Sequence, residues 1–150
     1  MLYLKQQIKG FSLINLAVII TLIIIFTSFI TFYISNIVLQ SRNIVRLNDV
    51  ETLRESLALY YAQSGIFPDE LQIVAGSSLI TPAGTLVLDA VPEAPGVVEG
   101  VCTVDSYDYQ LLEGGNSYQI HYCFSQDTNN MTAGDCLATS AHLCCRETCW

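Results

Sequence analysis

From Gly10 to Ser41 the chain carries no charged side chain, and from Phe11 to Leu39 most residues are apolar. So long an uncharged apolar run predicts a membrane-spanning helix. The 29 residues from Phe11 to Leu39, at about 1.5 Å each, make roughly 43 Å of helix against a hydrocarbon core of about 30 Å. The excess needs a cover other than lipid, and a helix buried among copies of itself supplies one without tilt. A cleavable secretory signal would have a shorter apolar core and then a small-residue site, and residues 35–43 hold no A-x-A pattern. Thr21, Thr27, Ser28, Thr31 and Ser35 lie within the run. Their hydroxyls are expected to bond back to the preceding turn, with packing between helices as the alternative.

Only ten residues precede the run, with Lys5 and Lys9, and then comes the junction Lys9-Gly10-Phe11-Ser12-Leu13-Ile14-Asn15. That junction resembles the cleavage site of the type IV prepilins, a family that includes the pseudopilins of type II secretion. The resemblance implies peptidase cleavage after Gly10 on the cytoplasmic side and N-methylation of Phe11, with the apolar segment kept in the mature protein. The fifth residue after the cut is usually glutamate in that family, where it pairs with the amine of a neighbouring subunit. Here it is Asn15, which accepts a hydrogen bond but brings no charge. A carboxylate in lipid gains much from meeting an ammonium, so its loss weakens subunit docking. The departure implies a minor or tip-type subunit, with a divergent major subunit as the competing position. The family's mid-helix proline is also missing, since no proline precedes Pro68.

Residues 40–64 become amphipathic, with Ile44, Leu47, Val50, Leu53, Leu57 and Tyr61 recurring every three or four positions. The helix is predicted to run on, with Arg46–Asp49 and Glu51–Arg54 on a solvated face. It should stop at Ser64-Gly65, ahead of Pro68. Leu59-Tyr60-Tyr61 followed by Gly65-Ile66-Phe67-Pro68 resembles the helix end of pseudopilins, an aromatic pair and then glycine, aromatic and proline.

Beyond the helix, Pro68-Asp69-Glu70-Leu71 suits a short helix, and residues 79–100 read as a connecting loop with one strand at 85–88. Residues 106–124 alternate as a β-hairpin that pairs Leu112 with Ser117, Leu111 with Tyr118, Tyr109 with Ile120 and Tyr107 with Tyr122. One face is apolar and suited to the helix. The other carries Gln110 with Gln119 and Asp108 with His121. The tail from Ser125 shows little periodicity, and in position it resembles the disulfide-bounded C-terminal loop of many pilins.

An extramembrane domain of about 85 residues sits near the lower end of independently stable sizes. Six cysteines are at hand to staple it: Cys102, Cys123, Cys136, Cys144, Cys145 and Cys149, all on the C-terminal side of the run. An even count in such a domain points to disulfides and an oxidising compartment. Cys144 and Cys145 are neighbours and do not suit one another. Cys123, on the sheet's outer face, is placed to fasten the tail, and the connectivity stays open. Lysines before the run and arginines after it leave orientation undecided by charge. The cysteines and the cleavage-site resemblance put residues 1–10 in the cytoplasm and the head outside. The formal charge of −8 becomes −10 once Lys5 and Lys9 leave with the leader, and beyond residue 64 eleven acids face only Arg146. A head so acidic disfavours nucleic acid.

Three chemistries compete with stapling. Zinc would use Cys145-x3-Cys149 with His142 or His121, but a second close pair is missing. Calcium would use Asp127, Asn129, Asn130 and Asp135, in a loop without the EF-hand pattern. A thiol enzyme would need a free Cys123 beside His121, oriented by Asp108. The expectation is a non-enzyme without cofactor.

The reading is therefore α+β and pilin-like: a long N-terminal helix, membrane-spanning in its first half, packed on a small antiparallel β-sheet with a disulfide-rich C-terminal loop. Its parts are a leader (1–10), a transmembrane or filament-core helix (11–39), its amphipathic continuation (40–64) and an acidic head (65–150). The resemblance implies a subunit of a type IV pilus or type II secretion pseudopilus. Its partners would be other subunits, prepilin peptidase, an assembly platform and the membrane. It would sit in the inner membrane before assembly and in a pilus, pseudopilus or cell surface afterwards. The alternative is a signal-anchored extracytoplasmic binding domain that never polymerises.

Overall fold

The computed structural model describes residues 13–96, 100–103, 105–128, 131–146 and 148–149, with the side chains of Ser35, Thr148 and Cys149 set aside. Helix α1 spans Leu13–Ser64. The chain divides into two compact units between Ile37 and Val38. In the first, every described side chain from Leu13 to Ile37 is exposed. Thr21, Thr27, Ser28 and Thr31 donate to carbonyls four residues back, Ala17, Ile23, Ile24 and Thr27 respectively. These hydroxyls are thus satisfied within their own helix, as expected of isolated alcohols among apolar neighbours.

In the second unit α1 buries a stripe with heptad spacing: Asn43, Arg46, Val50, Leu53, Leu57 and Tyr60. The stripe differs from the expected one at both ends. Ile44 and Tyr61 stay more than a third exposed while Asn43 and Tyr60 are covered. The 3-4-3-4-3 spacing keeps a straight seam against the sheet, and its first two places hold polar residues that an apolar pattern does not register. The helix ends where expected: Gly65 takes φ +76 and its N–H donates to Tyr61 O at 2.8 Å. Its missing Cβ makes that left-handed cap accessible.

After the helix, Glu70–Gln72 form one 3-10 turn capped by Asp69. Strands β1 (Leu79–Ile80) and β2 (Leu86–Leu88) pair antiparallel as a small separate sheet; β1 lies in what reads from sequence as loop. The main sheet has five antiparallel strands in chain order, β3 (Asp108–Leu112), β4 (Ser117–Phe124), β5 (Gly134–Thr139), β6 (Leu143–Cys145) and β7 (Thr148–Cys149). The β3–β4 register matches the alternation over Asp108–Leu112: Leu112 faces Ser117, Leu111 faces Tyr118, Tyr109 faces Ile120 and Asp108 faces His121. The expected pair of Tyr107 with Tyr122 falls outside the ladder, Tyr107 bonding Asp49 of α1 instead. The disulfide-rich tail is more ordered than its sequence suggests, for it supplies β5, β6 and β7.

Val50, Leu53, Leu57 and Tyr60 form one core with Tyr109, Tyr118, Ile120, Tyr122 and Phe124. Burying each large apolar side chain contributes roughly 1.5–3 kcal/mol before the ordering cost. The helix-end motif docks on the hairpin. Phe67 N donates to Gly115 O at 2.9 Å, its ring meets Tyr118 edge-on at 4.7 Å, and Tyr109 Oη donates to Pro68 O at 2.9 Å.

Candidate functional site

Two features stand apart from ordinary core packing. The first is the apolar segment of α1, the one helix among the described residues long and apolar enough to cross a membrane. Asn15 lies on it and is exposed. Gly10 and Phe11 lie outside the described residues.

The second is a buried polar cluster where α1 first meets the head. Asn43 is wholly covered, and its amide Nδ2 donates to Gln126 O and Thr128 Oγ1, both at 2.9 Å. Its Oδ1 accepts from the N–H and hydroxyl of Ser125, each at 3.0 Å, and from Arg46 Nη1 at 3.2 Å. Arg46 Nη2 forms an ion pair with Asp105 Oδ1 at 3.0 Å, with the two side chains 3% and 7% exposed. Asp105 Oδ2 is buried with no hydrogen-bond donor among the described residues. Arg46 therefore does not lie on a solvated face, as its spacing from Asp49 suggests. A guanidinium so covered must be matched by acceptors, and Asp105, distant in sequence, provides one. Asp49 accepts from Tyr107 Oη at 2.7 Å. Arg54 is likewise turned toward the sheet, donating to Thr139 O at 3.0 Å. Burial, with the Asp49 bond added, pushes the Tyr107 phenol well above its ordinary value. Burial raises Tyr109 and Tyr122 as well, and Tyr118 against the opposing pull of Arg54.

Among the described side chains every cysteine is oxidised. Cys102 pairs with Cys123 and Cys136 with Cys145. Cys144 is disulfide-bonded too, and Cys149 stands opposite it in the β6–β7 register. Cys123 thus fastens the segment before β3, not the tail as its strand position suggests. The reason is topological: β5, β6 and β7 continue the sheet sideways, while residues 100–103 lie near the end of β4. Cys136 and Cys145 are directly opposite on β5 and β6.

The rival chemistries fare differently. Cys145, one of the zinc candidates, is tied to Cys136. Asp127 Oδ1 accepts from Ala133 N at 2.7 Å and so closes its own loop, while Asp135 sits on β5 opposite Cys123. Asn129 and Asn130 lie outside the described residues. Among the described residues no group of three or more His, Cys, Asp or Glu is placed to hold a metal ion. Of the thiol constellation, His121 does face Asp108, but Asp108 accepts from Gln110 Nε2 at 2.8 Å and the Cys123 sulfur is in a disulfide. A disulfide sulfur has no thiolate to offer as nucleophile.

No family model, curated protein or solved structure matches this chain. What the molecule itself shows is a generic pilin-like fold, compatible with a membrane-anchored, disulfide-stabilised extracytoplasmic domain.

Proposed function

We propose that the chain is a minor or tip-type subunit of a type IV pilus or type II secretion pseudopilus, cleaved after Gly10 and methylated at Phe11. The observation that carries this reading is the division of labour along α1. Residues Leu13 to Ile37 leave their apolar side chains exposed, whereas the stripe from Asn43 to Tyr60 is buried under an antiparallel sheet. A helix used this way is anchored by lipid first and by neighbouring helices after assembly, and its length beyond one bilayer core then has an occupant. Its work is structural, with the acidic head as the presented surface. Asn15 brings no charge to meet a neighbour's amine, which suits a position without a subunit above it. Membrane, sister subunits, prepilin peptidase and an assembly platform are its partners in this reading.

The test is the intact mass of the membrane-extracted protein, unreduced, from cells with and without prepilin peptidase. A methylated chain beginning at Phe11, seen only where the peptidase is present, is the expected result. A chain beginning at Met1 in both strains would sink the proposal in favour of a signal-anchored binding domain that does not polymerise.

A further inference from the structure

Two loops of the head close over one stretch of α1, and a covalent bond ties the first to β4, the strand that leads directly into the second. The first, around residues 100–105, brings Asp105 to Arg46. The second, residues 125–128, brings Ser125, Gln126 and Thr128 to both ends of the Asn43 amide. Cys102 lies in the first loop; its disulfide partner Cys123 lies two residues ahead of Ser125 in the second. No strand pairing joins the loops among the described residues. Among the described residues one long backbone N–H bond joins them, Val101 to Ser125 O at 3.4 Å. Gly100 lies so near that a Cβ there would sit 2.0 Å from the same oxygen. Burial of an arginine and an asparagine is tolerable only while their partners stay in place, so both loops must be present together.

We infer that the Cys102–Cys123 disulfide is the catch of a redox-set latch over Asn43 and Arg46. To close it, the two thiols give two electrons and two protons to an external disulfide by thiol–disulfide exchange, and that disulfide becomes a dithiol. With the catch shut, the loops seal the polar end of the seam and Cys102 and Cys123 are buried, 5% and 4% exposed. With it open, the loops part, Asn43 and Arg46 meet water, and the head is held by Val50, Leu53, Leu57 and Tyr60. Cys136–Cys145 has no such role, because both its cysteines are already paired with each other in the β5–β6 ladder, whereas Cys102 lies outside any strand. The latch goes beyond the function proposed above and holds equally for a filament subunit or an anchored domain.

Limited trypsin digestion of the full chain in detergent reads this directly. Arg46 lies under the latch; Arg54 is held by Thr139 of β5 and serves as internal control. In Cys102→Ser/Cys123→Ser, cleavage after Arg46 should quicken about tenfold while cleavage after Arg54 changes less than about twofold, the pattern of local opening. Cys136→Ser/Cys145→Ser should leave the Arg46 site protected. Stepwise reduction of the wild type with a small dithiol, with thiol trapping, repeats the test without substitution. Exposure of Arg46 should then follow the thiols of Cys102 and Cys123. An Arg46 site that stays protected would overturn the latch. A parallel rise at Arg46 and Arg54 in both formats would overturn it too, since the disulfide would then be a general staple.

Discussion

Arg46→Met tests the buried cluster most sharply. The substitution keeps an unbranched side chain on the seam but removes the guanidinium, and Asp105, 7% exposed, loses the donor to Oδ1 while Oδ2 already has none among the described residues. Stranding a buried charge in this way costs about 3–5 kcal/mol. The Asn43 side adds at most ~1 kcal/mol, because its Oδ1 keeps both bonds from Ser125. Against a total stability on the order of 5–15 kcal/mol, the loss should move the denaturation midpoint far while leaving the slope unchanged. The assay is guanidinium unfolding of the full chain in detergent, followed by circular dichroism. Arg46→Met/Asp105→Leu should regain most of the loss, since an apolar pair removes the stranded carboxylate. Arg54→Met is the contrast: Arg54 is half-buried and its partners, the Thr139 and Ser140 carbonyls and the Tyr118 hydroxyl, are neutral, so about 1 kcal/mol is expected. A loss below about 1 kcal/mol for Arg46→Met, or a double variant no better than the single, would refute the reasoning.

Leu53→Ala, at 1% exposure in the seam, should cost about 2–5 kcal/mol. By the same unfolding assay Leu71→Ala, 87% exposed, should stay within about 0.5 kcal/mol. Gly100→Ala places a methyl group against Ser125 O at a φ of +61 and should cost roughly 2–4 kcal/mol. Gly76→Ala, at φ +77 with nothing within 4 Å, should cost only the backbone strain of about 1–2 kcal/mol. Folded-state values for Tyr107, Tyr109, Tyr118 and Tyr122 lie above the ordinary 10.0. Folding therefore favours the protonated phenols. That stability is fully present below about pH 10 and declines as pH rises from there toward the folded values. Tyrosinate absorbance on an alkaline titration should show these four ionising late and together with unfolding; early reversible ionisation of all eight tyrosines in the folded chain would contradict their burial.

The sequence by itself determined the elements whose partners are close along the chain. An uncharged run dictates a helix, Gly65 ends it, and alternation around Glu113–Asn116 sets a hairpin register that the structure keeps from Asp108 to Leu112. Tertiary structure alone decided the remainder. On β5 the covered positions are Gly134, Cys136 and Ala138, small residues that show no apolar alternation. They stand opposite Phe124, Tyr122 and Ile120 of β4, so the bulk that would have marked the strand is supplied from across the sheet. Pairing of Cys102 with Cys123 depended on where β4 ends in space, and the covering of Asn43 and Arg46 on loops more than fifty residues away. Periodicity records which face a segment buries only when that segment provides the apolar side chains. Where a neighbour provides them, or where buried polar groups answer one another, the pattern exists only in the assembled fold.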